Sequence, residues 1–254
     1  MIVKEREAQQ QRREARERFA NAQRMEMDYM RALRQLTKQI GHIVNGMAPG
    51  GVVRNSIELQ GVLQKYSEAI APWARSVAEK MLARVAKKDE NSWAKLGKSI
   101  GVELRKELQD APVGDMLRQF LSEQVELITS LPIEAGERVH KLVMEALTNG
   151  QRADEIAKDV LATGKVTESR AKLIARTEVA RVASGLTMQR AKHVGVTHYV
   201  WRTSGDATVR ESHKKMNGAV VPFDAAPEVE PGKRYHAGMI YNCRCYPEPI
   251  LTRD

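Results

Sequence analysis

The sequence is short of several things, and each shortage excludes something. It has two cysteines, Cys243 and Cys245, in one short motif, which argues against the disulfide framework of a small secreted domain. Aromatics make up 5% of the residues and charged groups 29%, a balance that favours long helices with wet faces over β-sandwiches or barrels. No apolar run approaches the roughly 18 residues that a spanning helix needs, so no membrane segment is expected. The opening string Met1-Ile2-Val3-Lys4-Glu5-Arg6 is charged at once and lacks the apolar stretch of a secretory signal, so a reducing cytoplasm is the expected place of synthesis. There is no P-loop, no Gly-x-Gly-x-x-Gly, no serine nucleophile elbow and no His-Glu-x-x-His. These absences lower an enzymatic reading without excluding it.

What is present is a basic chain with enough apolar content to fold. Hydrophobic residues are 42% of 254, sufficient for one large domain or two small ones. The net charge is +9, from 41 Lys and Arg against 32 Asp and Glu. Such a surplus fits a polyanionic partner such as double-stranded DNA, and it equally fits cations spread over solvated helix faces.

Aromatics, glycine and proline divide the chain near residue 197. Tyr199, Trp201, Phe223, Tyr235, Tyr241 and Tyr246 crowd into the last stretch, together with Gly205, Gly218, Pro222, Pro227, Pro231, Gly232 and Gly238. Short strands and turns are expected after the divide and helices before it. The expected class is mainly α: a helical N-terminal region with a small α+β C-terminal module. Three parts follow, 1–125, 126–197 and 198–254.

Glu and Arg at three- and four-residue spacing support an exposed helix over the first 20 residues, and Met25, Tyr29, Leu33, Leu36 and Ile40 continue it as an apolar stripe until Met47-Ala48-Pro49-Gly50-Gly51. A second helix is expected from Ser56 towards Lys88, bent near Pro72, with a fresh start at Asn91 or Ser92. A further one covers Val113 to Thr129, and Ser130-Leu131-Pro132 reads as cap and start of the next. Residues 152–162 form a short helix stopped by Gly164, and Thr167-Glu168 opens a long one to His193, ended by Gly195.

The most specific signal is an ordered series of pieces. Ala175-Arg176-Thr177-Glu178 lies on the last long helix and Trp201-Arg202-Thr203 on a strand. Asp206-Ala207-Thr208-Val209-Arg210-Glu211-Ser212-His213, Asn217-Gly218, His236 and Cys243-Arg244-Cys245 follow. In this order and spacing they resemble the phage Mu F-like head-morphogenesis (minor head protein) family over roughly residues 130–250. The usual His-Pro before the final motif is His236-Ala237 here, and relatives place cysteines where this chain has Arg210 and His213. The resemblance implies a minor protein of a tailed double-stranded DNA phage that assists capsid assembly and DNA packaging or delivery at the portal vertex. Its implied partners are portal, capsid or scaffold proteins. Its implied location is the virion head interior, reached from the host cytoplasm during assembly. A DNA-binding protein acting on the packaged genome and a toxin- or nuclease-like enzyme domain are the alternatives.

Two groups of residues are candidate sites. If Cys243 and Cys245 lie on a strand, their thiols share a face, about 6.6 Å apart at Cα. With His213 and His236 they make a two-sulfur, two-imidazole set of the kind that holds structural zinc. Against this, Cys-x-Cys is not the common Cys-x-x-Cys spacing, and buried cysteines also serve as small hydrophobes. Arg176, Glu178 and Asp206 are read as a structural polar junction where the long helix meets the module. Asp206 is expected to cap the short helix that carries His213. A catalytic role for these groups lacks a positioned nucleophile.

Overall fold

The computed structural model describes residues 2–100 and 112–251. Among them the helices are α1 (Ile2–Met47), α2 (Ser56–Ala69), α3 (Ala71–Ile100), α4 (Gly114–Thr148), α5 (Ala153–Leu161), α6 (Thr163–His193) and α7 (Glu211–Met216). The strands are β1 (His198–Thr203), β2 (Val220–Pro222), β3 (Glu228–Glu230), β4 (Lys233–Arg234) and β5 (Cys245–Pro249). The protein is mainly α with a small α+β module at the C-terminal end, as the sequence implies.

Three helix boundaries differ from expectation, each for a local reason. No helix starts at Asn91 or Ser92, because Ser92 bonds back to the Lys88 carbonyl and Val85, Asp89, Trp93 and Leu96 continue one buried stripe. The interruption falls earlier, at Ile70, which leaves Pro72 in the first turn of α3, where its missing N–H costs no ladder bond. Ser130-Leu131-Pro132 starts nothing: α4 runs through Pro132. Its apolar stripe of Ile128, Leu131, Ala135 and Val139 is unbroken, and the Ser130 hydroxyl turns to the Leu127 carbonyl and the Glu134 carboxylate. Gly164 does not end a helix but sits in the first turn of α6, where a Cβ would stand 3.7 Å from the Cα of Gly41, so it serves close helix approach.

The chain gathers into two compact units, each from separate stretches. The first is built from Met1–Glu26, Met81–Phe120 and Arg176–Asp254, the second from Met27–Lys80 and Leu121–Ala175. In the second, Tyr29 donates to Gln124 in a buried side-chain bond of 2.9 Å, and Gly136 lets α4 lie against Gln60 and Leu63 of α2. In the first, β2-β1-β5 form an antiparallel sheet with Tyr199 opposite Val221 and Trp201 opposite Pro247. The core there joins Trp93 and Leu96 of α3 to Tyr199, Trp201, Val221, Phe223, Ala237, Cys243 and Cys245. Burying this cluster is what stabilises so small a sheet, since three short strands cover too little apolar surface alone.

Candidate functional site

The module turns on His213. Helix α7 is one and a half turns long, and it places His213 inward at 1% exposure. The ring meets Trp201 edge-on at 5.8 Å, so sheet packing fixes its plane. Cys245 opens β5, and Cys243 precedes it in a turn that follows Asn242, which has a left-handed φ of 52°. The thiols therefore converge through that turn rather than by alternation along one strand. Both reach Nδ1 of His213, Cys245 Sγ at 3.3 Å and Cys243 Sγ at 3.5 Å. All three ligand atoms lie within 4.8 Å of one another, and all three residues are buried. The cysteines are free of any disulfide.

Electrostatically the two thiols are driven in opposite directions. Cys243 is pulled down to about 4, chiefly because Cys245 donates a hydrogen bond to it, with His213 helping and burial opposing. Cys245 is pushed far up because its thiol donates a hydrogen bond to the Cys243 sulfur and because it is buried. The Trp201 indole N–H, buried with no conventional acceptor, acts on the Cys245 sulfur and opposes that rise. On the far side of the ring, Nε2 of His213 meets the Tyr235 hydroxyl at 3.0 Å. Burial first and then the Glu230 carboxylate raise that hydroxyl well above its ordinary pKa.

This donor set can hold a metal ion. A tetrahedral zinc with sulfur at ~2.3 Å and nitrogen at ~2.05 Å spaces an S–N pair at about 3.6 Å, close to the two distances seen. A ligating imidazole is normally oriented by a partner on its other nitrogen, and Tyr235 occupies that position. His236 is placed elsewhere. Its Nδ1 meets the Tyr199 hydroxyl at 3.2 Å, and burial, with Lys192 nearby, lowers its pKa.

The polar junction resolves into separate pairs. Arg176 binds Glu26 at 3.2 Å and the Asn242 side chain at 3.0 Å, and Thr177 accepts from the Asn242 N–H. The Ala175-Arg176-Thr177-Glu178 helix thus braces the turn that positions Cys243. Glu178 takes both of its carboxylate oxygens to Arg181, its neighbour on α6. Asp206 does not cap α7, whose N-cap is Arg210 without a side-chain bond. It closes a tight turn instead, accepting from Ser204 and from the backbone and hydroxyl of Thr208, and it pairs with Arg244 at 2.8 Å. The reason is distance along the chain: a cap must sit one residue before the first turn, and Asp206 lies five residues before Glu211.

Sequence reasoning missed Tyr235 as a partner of the cluster. Tyr235 and His236 are adjacent, so one of the two had to face away. Nothing in residue type says which, because β4 ends at Arg234 and the backbone direction beyond it is set by a turn. The buried pair of Asp89 and Arg190, at 2.8 Å with both side chains 5% exposed, also went unseen. Its partners are about a hundred residues apart in the chain.

A helical protein with a small antiparallel module closed on a His-Cys-Cys cluster is the class that fold and site define. Residues 137–247 match the family described as Phage Mu protein F like protein, so this segment is similar to that family. A protein of Haemophilus influenzae described as "Uncharacterized protein" is 27% identical over 248 residues. The alignment covers 92% of this chain and 55% of that protein, so the chain spans little more than half the length of its relative. No solved structure matches.

Proposed function

We propose that the chain is a minor head protein of a tailed double-stranded DNA phage, assisting capsid assembly and DNA packaging or delivery at the portal vertex. The observation that carries this reading is the family match, which covers α4 from its middle through to β5 and so takes in both the bracing helix and the buried cluster. The partners on this reading are portal, capsid or scaffold proteins inside the virion head. Residues 1–125 would face them, with 126–197 as the helical support and 198–254 as a rigid plug. Exposed apolar surface supports a protein partner: Ile57 and Trp73, within residues 1–125, are at least a third exposed. Among the described residues no helix is long and apolar enough to cross a membrane. Removing residues 198–254 from the phage gene should leave heads that assemble but package or eject DNA poorly, measured by counting filled heads and infectious particles. Infectivity equal to wild type would overturn the reading.

We propose further that His213, Cys243 and Cys245 would hold a zinc ion through three donors, its fourth position filled by another ligand, with His236 outside the set. A bound ion would supply folding energy to a module with little core of its own. The residues prepare it: Tyr235 fixes the imidazole. Metal analysis of purified protein should find one zinc per chain, lost on Cys243→Ser with Cys245→Ser. Metal-free protein that melts at the same temperature as zinc-loaded protein would remove the site. A catalytic reading is not favoured, because Glu178 is held by Arg181 and both ring nitrogens of His213 are engaged.

A further inference from the structure

The positive surplus of this chain is not shared between its two units. The first unit holds 27 Lys and Arg against 19 Asp and Glu, and the second holds 14 against 13. Eight of the nine surplus charges therefore lie in the first unit. Exposed large hydrophobics divide the other way. Of eleven among the described residues, nine (Met27, Val52, Ile57, Val62, Trp73, Met144, Leu147, Leu161 and Val166) belong to the second unit, while Val220 and Tyr241 belong to the first.

Within the first unit one cluster of cations has no internal explanation. Arg12, Arg13 and Arg16 are exposed on α1, spaced three and four apart so that they share a face. None of the three makes an ion pair or hydrogen bond among the described residues. Their acidic neighbours are engaged elsewhere: Glu14 is buried and takes Gln10, Glu17 pairs with Lys95, and Glu248 pairs with Arg202 through both oxygens. The helix is held against the sheet beside them. Phe19 stacks on Tyr246 of β5 at 4.8 Å, and Gln11 donates to the Leu251 carbonyl. Burial, with Glu248, raises the Tyr246 hydroxyl, and Arg202, Arg16 and Arg12 lie near enough to work against that rise. The arginines are thus part of a fixed surface and not of a free arm.

We propose that this face, Arg12, Arg13 and Arg16 of α1 beside Tyr246 of β5, binds the phosphate backbone of duplex DNA. Unpaired guanidinium groups side by side repel one another unless an array of anions lies across them, and phosphates match their fork geometry. An acidic protein surface is the other class of partner. It is disfavoured because a protein interface adds an apolar centre to its charges, and exposed apolar residues are concentrated in the other unit. Phosphate contacts of this kind position the protein without reading sequence. The proposal goes beyond the head-protein reading and does not depend on it: infectivity tests one, and binding by purified protein tests the other.

The test is fluorescence anisotropy of a labelled 30-base-pair duplex with the full chain, titrated with salt. Combined Arg12→Gln, Arg13→Gln and Arg16→Gln should reduce the slope of log affinity against log salt by about 2.7, at roughly 0.9 for each phosphate no longer neutralised. Arg12→Lys, Arg13→Lys and Arg16→Lys together should keep the slope. A control that removes the same charge from exposed positions of the second unit, Lys38→Gln, Lys65→Gln and Arg152→Gln, should leave it unchanged. Equal reductions in the two glutamine variants would mean that net charge and not this face is at work, and would overturn the proposal. So would an unchanged slope in the arginine variant with its thermal melt intact, or no duplex binding by the wild-type chain. Polyglutamate that displaces the duplex at equal charge concentration would assign the face to an acidic protein, and duplex DNA would be withdrawn as its occupant.

Discussion

The two units of this chain solve the same packing problem with different materials. The second is built from helices alone and is nearly neutral, with its cohesion in apolar stripes such as Leu33, Leu36 and Ile40 and in glycines where backbones approach closely. The first adds a three-stranded sheet, holds most of the positive charge and buries polar chemistry: the His213 cluster, the pair of Asp89 and Arg190, and Arg18 stacked on Trp93. A helix-only unit satisfies its backbone internally and needs few polar contacts inside, the buried bond of Tyr29 to Gln124 among them. A short sheet with long turns relies on specific polar contacts to fix its geometry. The first unit should therefore be brittle to the removal of single polar partners, and the second to the disruption of single close approaches.

The largest effect is expected at the buried pair. Asp89 accepts from Arg190 at 2.8 Å and from Thr187 at 2.9 Å in the interior of the first unit. Asp89→Ala leaves Arg190 charged without its buried carboxylate and should cost about 3–5 kcal/mol. Chemical denaturation should show it. A cost below ~1 kcal/mol, the usual range for exposed pairs, would mean that water reaches the pair and the contrast between the units is overstated.

Glycine substitutions sharpen the contrast, because each unit has one glycine of the same kind. Gly51 has φ 84°, and a Cβ there would run into the Ala157 carbonyl oxygen of α5. Gly238 has φ 81°, and its Cβ would meet the Ser184 hydroxyl and, at 3.1 Å, the Cys245 carbonyl. Both changes strain the backbone, but a serine side chain can rotate aside and a helix backbone cannot. Gly51→Ala should therefore cost about 2–3 kcal/mol and Gly238→Ala about 1–2 kcal/mol. The reverse order in thermal melts would show the module to be the less forgiving unit even to steric change.

How much of this was legible follows the same divide. The helices of the second unit could be read from Tyr29, Leu33, Leu36 and Ile40, because burial of one face leaves a 3.6-residue period in the sequence. Their ends were less legible. Ser130, Pro132 and Gly164 are boundary residues by propensity, yet tertiary packing overrides them when the apolar stripe continues on both sides. In the module, Cys243, Cys245 and His213 could be named from their chemistry, since few other residue types ligate soft metals. Tyr235 could not, because it enters through a turn whose direction only the folded chain defines. The uneven charge was hidden for another reason: the first unit is assembled from three stretches of chain, so no window of sequence shows its surplus.

The smallest effect concerns Asp206, and it separates a local turn from the rest of the first unit. Thr208 first, then Ser204 and Arg244, stabilise its carboxylate and hold its pKa below the usual value. A group whose folded pKa is depressed contributes stability that is present above its unfolded pKa, about 3.9, and is lost as pH falls through the folded value. The side chain is 35% exposed, so solvent screens the pair with Arg244. Asp206→Asn keeps an acceptor for Thr208 but drops the charge, and should cost about 1 kcal/mol at pH 7. The gap to wild type should stay constant from pH 7 down to about 5 and close as the wild-type carboxylate protonates, below about 3.9. A gap that persists undiminished in denaturation at pH 2 would show that the turn depends on the shape of the side chain and not on its charge.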